Sequence, residues 1–135
     1  MKYQILEHKA DIKIKIFGKN LKELFLNSLS AIKEILNPKI KSPKEKIERK
    51  IKIKSENLSF LFMDFLSEIN YLSETYREIY EKIKFKKLSE KEIEAILEGK
   101  KVESFGLQIK GVTWHNFEIS QKKNKTWQAK VLFDI

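Results

Sequence analysis

Isoleucine alternates with lysine in two stretches of this chain, and that alternation leaves little conformational choice. Ile12, Ile14 and Ile16 fall on one side of an extended segment, with Lys13, Lys15 and Phe17 on the other. Ile47, Arg49, Ile51 and Ile53 repeat the pattern against Glu48, Lys50 and Lys52. Successive side chains of a strand point to opposite faces, so period two predicts a strand with one face buried. Arg49 breaks the apolar face of the second stretch and is expected to snorkel or to sit near an edge. The same period recurs in Ile79, Glu81, Ile83 and Phe85 against Tyr80, Lys82 and Lys84, and in Trp127, Ala129, Val131 and Phe133. Extended runs are also expected at Tyr3–Glu7, at Leu107–Gly111 and from Trp114 to Ser120.

Two segments follow the helical period instead. Leu21, Leu24, Phe25, Leu29, Ile32, Ile35 and Leu36 form one stripe, preceded by the capping box Asn20–Glu23 and stopped at Asn37-Pro38. Leu58, Leu61, Phe62, Phe65, Leu66, Ile69 and Leu72 form a second stripe within a helix expected from Ser55 to about Ser73. Asp64 points away from that stripe and Glu68 lies at its border. Lys39–Lys46, with Pro43, reads as a loop, and Lys122–Lys125 as a hairpin turn.

Ser89–Gly99 carries both signals. Ser89 and Glu92 resemble a capping box with Gly99 as the stop, yet Ile93, Ala95 and Leu97 alternate. The order strand, helix, strand, helix, then mostly strands predicts an α+β fold, with two amphipathic helices packed on a mainly antiparallel or mixed sheet. The length of 135 residues fits one domain, residues 1–135.

Composition removes several functions. There is no cysteine, which excludes disulfide scaffolds and thiolate chemistry, and two histidines make a multi-His zinc site improbable. Phosphate-binding glycine loops and the GxSxG elbow are absent. No apolar run approaches the ~20 residues of a membrane span, and MKYQILEHKAD holds no signal-peptide core; the expectation is a cytoplasmic protein. The formal net charge is +9, with 28 basic and 19 acidic residues. Lysine supplies 26 of the 28 cations, which fits a thermophile's composition as well as a ligand footprint. Lys39–Lys54 holds eight basic and two acidic residues, either a solvated face or a surface for RNA or an acidic partner.

One rim is a candidate for chemistry. Asp134 and the α-carboxylate of Ile135 close the last strand, and Asp11 opens the first strong one, just after His8. Were those strands neighbours, three carboxylates would meet, a donor set suited to a hard cation such as Ca²⁺ or Mg²⁺. The residues alone favour a frayed polar terminus. Lys110, between Ile109 and Gly111, is either a solvent-facing strand lysine or a cation aimed at the rim or at a phosphate. His115 beside Trp114 reads as structural.

Five motifs resemble those of the archease family, in order and over nearly the whole chain. His8-Lys9-Ala10-Asp11-Ile12 resembles its HxADI signature, and Gly18–Phe25 its GKTLEELF segment. Phe65–Ile69 resembles FLxEL, Ile109–His115 resembles VKAVTYH, and Val131–Ile135 resembles the VxFDI ending. Lys9, Gly111 and Trp114 depart from the family's usual threonine, alanine and tyrosine. The family pattern also favours a strand near Ile93–Glu98.

The resemblance implies an accessory protein of the GTP-dependent RtcB-type tRNA-splicing RNA ligase. Such a protein promotes ligase guanylylation and multiple turnover without being the catalyst, so no catalytic residue is expected here and the GTP belongs to the ligase. The family's metal site maps onto Asp11, Asp134 and Ile135, for Ca²⁺ or Mg²⁺/Mn²⁺. Lys110, Glu68 and His8 are candidates for activation or partner contact. Lys39–Lys54 is expected to steer toward an acidic ligase surface or bound tRNA. Alternative readings are a basic module that binds RNA directly and a metal-dependent phosphohydrolase built on Asp11 and Asp134.

Overall fold

A computed structural model describes residues 1–8 and 10–135, the side chains of Glu7 and His8 excepted. The elements run β1 (Tyr3–His8), β2 (Asp11–Gly18), α1 (Leu21–Leu36), β3 (Pro38–Ile40), β4 (Ile47–Lys54), α2 (Leu58–Tyr76), β5 (Glu78–Leu88), β6 (Glu92–Phe105), β7 (Gly111–Gln121) and β8 (Trp127–Asp134). Among the described residues every strand pairing is antiparallel, which settles the expectation of a mainly antiparallel or mixed arrangement. The described strands form two sheets rather than one. The first has the order β1-β2-β8-β7; in the second, β6 pairs with β3, β4 and β5. Both helices pack against strands of both sheets.

The isoleucine alternation does what period two requires. Ile12, Ile14 and Ile16 are buried, and across from them on β8 so are Ala129, Val131 and Phe133. A slip of one residue would turn the three residues of the slipping strand out of the core, so the β2–β8 register is strongly fixed. From the helices, Phe25 meets Phe62 and Phe65 edge-on, at centroid distances of 5.3 and 4.9 Å.

The α1 cap forms as the sequence indicates. The Asn20 side chain accepts from the Glu23 amide at 2.9 Å, while Glu23 reaches back to the Lys19 amide at 3.2 Å. Asn27, buried in the same helix, donates to the Phe17 carbonyl at 2.7 Å and ties α1 to the end of β2. At Gly18 an added Cβ would lie 2.4 Å from the Leu24 amide, so only glycine lets β2 end against α1.

Three sequence expectations are corrected. The second helix begins and ends three residues later than expected, capped by Asn57, whose side chain accepts from the Phe60 amide. Lys39–Lys46 is not wholly loop, since Pro38–Ile40 pairs with the far end of β6. Leu107–Lys110 is not a strand; β7 starts at Gly111. His115 is exposed on β7.

The ambiguous Ser89–Gly99 segment is a hairpin turn and the start of β6. Ser89 does accept from the amide three residues on, as a cap would, but it does so in the turn: its hydroxyl takes the Lys91 and Glu92 amides at 3.2 and 3.1 Å. Gly99 is not a helix stop. It lies where β5 crosses close to β6, and an added Cβ would stand 1.8 Å from the Ile79 carbonyl oxygen.

Arg49 also has its explanation. Its guanidinium grips Glu78 with two bonds, at 2.9 and 3.0 Å, and lies 3.7 Å above the Tyr76 ring. Glu78 is 1 % exposed and further accepts from the Tyr80 hydroxyl at 2.8 Å and pairs with Lys101 at 3.1 Å. The cluster joins β4, β5, β6 and the last turn of α2. Burial pushes the Glu78 carboxyl upward, but the bonds from Arg49, Tyr80 and Lys101 outweigh it and hold the group below the ordinary carboxylate range. The same pairing, with burial, pushes the Tyr80 phenol up.

Two tests of stability follow. Because Glu78 titrates below its unfolded value, its contribution is fully present above about pH 4.3 and is lost as pH falls through the depressed value. Glu78→Gln, which leaves Arg49 without its carboxylate, should destabilise by about 3–5 kcal/mol at neutral pH. Urea unfolding across pH should show this gap narrowing in acid; a constant gap would mean the carboxylate's charge is not what matters. Gly99→Ala should lower stability by more than the ~0.5–1 kcal/mol that a Gly-to-Ala change at an unconstrained site would gain, and with opposite sign, checked by its melting temperature.

Candidate functional site

The β2–β8 pairing creates the rim. Asp11 stands directly opposite Asp134, and Gly111 of β7 stands opposite Asp134 on its other side. The Ile135 amide donates to the Ala10 carbonyl at 3.2 Å. That bond makes Asp11 and Asp134 a pair not hydrogen-bonded to each other, the closer of the two kinds of cross-strand neighbour. Opposite residues of an antiparallel pair project to the same face, so two carboxylates share one spot. Asp134's backbone points the other way, and its carbonyl accepts the Lys110 amide at 2.7 Å.

The environment of the pair is half open. Asp11 is exposed, Asp134 and Ile135 are half-buried, and Ile135 packs its side chain against the core. Among the described residues neither aspartate forms an ion pair, although lysine is abundant. Like charges directly opposite one another on a sheet are unfavourable unless a cation lies between them. All the donor groups are hard anionic oxygens, the chemistry of a Ca²⁺, Mg²⁺ or Mn²⁺ ligand set rather than a zinc cage. Among the described residues no three His, Asp or Glu side chains converge, and the Ile135 α-carboxylate is a further anionic oxygen group beside the two aspartates.

The other expected residues divide. Lys110 is exposed and immediately precedes Gly111, beside the rim through its backbone bond to Asp134. It belongs to the segment before β7, not to a strand as the sequence suggested. Glu68 is half-buried on α2, an element that supplies neither aspartate. His8 ends β1, its backbone paired with Ile12, and its side chain lies outside the described residues. Lys9 also lies outside them.

Sequence reasoning missed Asn70. Its side-chain amide donates to the Ile109 carbonyl at 3.0 Å and so fastens the Lys110 segment to α2. Its only sequence signal is a polar residue at the edge of an apolar stripe, which has many other meanings. Gly111 is not conformationally demanded: an added Cβ there meets nothing within 4 Å, so alanine fits equally well.

Beyond the rim, β7 is irregular between Thr113 and Glu118, with Asn116 in the left-handed region at φ 54°. Trp114 is half exposed there, edge-on to Phe60 and Phe117 at 5.2 and 5.3 Å. Among the described residues no helix is long and apolar enough to cross a membrane.

Known proteins are similar to this chain at the levels of sequence and of fold. The archease of Methanosarcina mazei is 33% identical over 142 residues, covering 99% of this chain and 96% of its own length. That of Thermoplasma acidophilum is 24% identical over 139 residues, covering 100% of this chain and 94% of its own length. The solution structure of Methanobacterium thermoautotrophicum protein 1598 superposes with a TM-score of 0.73 at 23% identity, over 99% of both chains. A crystal structure from Thermotoga maritima, described as an archease and possible chaperone, gives a TM-score of 0.71 at 20% identity, over 98% of this chain and 96% of its own. The model of the archease protein family (MTH1598/TM1083) matches residues 3–135, and the chain belongs to that family.

Proposed function

We propose that this protein is a non-catalytic accessory factor of the GTP-dependent RtcB-type tRNA-splicing RNA ligase, promoting its guanylylation and repeated turnover through a divalent ion held at the acidic rim. The observation that carries the reading is the register placing Asp11 opposite Asp134 with the Ile135 amide tied to Ala10. Membership of the archease family supports the accessory role, as does the description of the Thermotoga maritima protein as a possible chaperone.

Asp11, Asp134 and the Ile135 α-carboxylate would hold the ion. A divalent ion neutralises negative charge on a reacting triphosphate, and that is the chemistry it would supply next to the ligase's nucleotide. The chain's own part is positional. The β2–β8 register fixes the two side chains on one face, and the Ile135–Ala10 bond holds the terminus beside them. Lys110 adds an exposed cation next to this group, suited to a phosphate or an acidic contact on the ligase. Glu68 and His8 stay candidates for partner contact. The carboxylates act by coordination and not as general bases. A phosphohydrolase built on Asp11 and Asp134 would need a nucleophile or base that the described residues of the rim do not supply. The setting for such work is the cytoplasm.

Two measurements test this. In ligation of excess broken tRNA with GTP and Mg²⁺ or Mn²⁺, the protein should give many turnovers per ligase. Asp11→Ala, Asp134→Ala or an extension after Ile135 should return the ligase to its unassisted level. Turnover indifferent to all three would sink the proposal. Thermal melting probes the ion directly. Ca²⁺ or Mn²⁺ at 100 times its dissociation constant should stabilise the wild type by about 2.7 kcal/mol. Asp11→Asn should abolish that shift, yet in chelator be as stable as the wild type or more so by up to about 1 kcal/mol, because the opposed charges are gone.

A further inference from the structure

The lysine-rich run seen in the sequence does not stay together in the fold. Lys39 pairs weakly with Glu103 beside β3, and Lys41 to Lys46 lie in the connection to β4. Of the run's lysines, Lys50, Lys52 and Lys54 stand on the outer face of β4, in line with Glu48 at its start and opposite the buried row of Ile51 and its neighbours. They are joined there by lysines from a distant part of the chain. β5 contributes Lys82, Lys84, Lys86 and Lys87, all exposed.

Between these two strands lies β6, whose outward residues are Glu92, Glu94, Ile96 and Glu98. The glutamates are half-buried and already neutralised. Lys54 reaches Glu92 at 3.5 Å, Lys46 reaches Glu98 at 3.4 Å, and Glu94 is shared by Lys52 and Lys86 at 3.9 and 3.2 Å. The row through Ile96 has no carboxylate at all: Lys50 flanks it on β4 and Lys84 on β5. Among the described residues Lys50, Lys82, Lys84 and Lys87 pair with no carboxylate. A shallow trough of about 560 Å³ runs over this row.

We infer that the outer face of the β4-β6-β5 sheet is a docking surface for the phosphate backbone of RNA, centred on Lys50 and Lys84. Charge complementarity selects this occupant. The lysines stand in two files, one on each side of the central strand, with Lys50 uncompensated on β4 and Lys82, Lys84 and Lys87 uncompensated on β5. Residues two apart in a strand repeat every ~6.6–6.8 Å, comparable with successive phosphates along an extended strand. Flexible lysines on a flat sheet contact phosphates as point charges without reading base edges, so the binding is independent of sequence. The assignment stands apart from the ligase reading, because the face lies on the second sheet and the acidic rim on the first.

The test needs no ligase, so its failure is separable from failure of the activator proposal. Affinity for a labelled oligouridylate is measured by anisotropy between about 50 and 200 mM salt. Lys50→Ala/Lys84→Ala should weaken binding and flatten the slope of log affinity against log salt by about 1.4, two contacts at about 0.7 each for a single strand. Lys22→Ala/Lys123→Ala, exposed lysines off this face with the same loss of charge, should leave the slope unchanged. Melting temperatures confirm that both variants fold. Equal flattening by both pairs, no effect of Lys50 and Lys84, or no RNA binding by the wild type overturns the inference. So does polyglutamate binding through Lys50 and Lys84 without RNA binding, which would assign the face to an acidic protein.

Discussion

The pairing of β2 with β8 is the constraint on which the rest depends. It buries Ile12, Ile14 and Ile16 beside Ala129, Val131 and Phe133, and so supplies the floor against which α1 packs. The same register sets Asp11 across from Asp134. Core and rim are therefore two readouts of one alignment, with the apolar residues paying for a juxtaposition of charge that the rim by itself disfavours. Moving the register by one residue would destroy both together.

A second charged cluster is handled in the opposite way. Arg49 and Glu78 bring opposite charges together where the end of α2 meets the second sheet, and Tyr80 and Lys101 satisfy the remaining carboxylate positions. Nothing is left over to bind an ion or a partner. At the rim, two like charges are left without a protein cation among the described residues. Surplus charge of one sign marks a place that expects a visitor, and matched charge marks a joint.

Legibility in the sequence followed the range of the interaction. Helix α1 was readable because its signals are local: a cap, a stripe and a proline. The strands of alternating isoleucine were readable for the same reason. Ser89 was not, since a serine accepting amides two and three residues on serves a turn as well as a helix start. Arg49 could not be explained until Glu78, 29 residues later, came beside it. The carboxylate rim was suspected from Asp11 and Asp134, but only strand order could make them neighbours, and the family resemblance supplied that expectation. The basic outer face is not legible because half of it comes from β5, and only the pairing of β4 and β5 with β6 brings Lys50 and Lys84 to one row.

The β2–β8 ladder also bears on how the molecule is made. During synthesis β2 is among the first segments to emerge, and it has β1 on one edge and nothing on the other until β8 arrives. Its free edge, with buried-type isoleucines along one face, must wait while both helices and the whole second sheet form. The second sheet has no such delay, since β5 and β6 are joined by a short turn. Assembly from the second sheet outward would leave the acidic rim as the last feature to appear. A pair of opposed carboxylates that forms only at the final pairing reports that the entire fold behind it is in place.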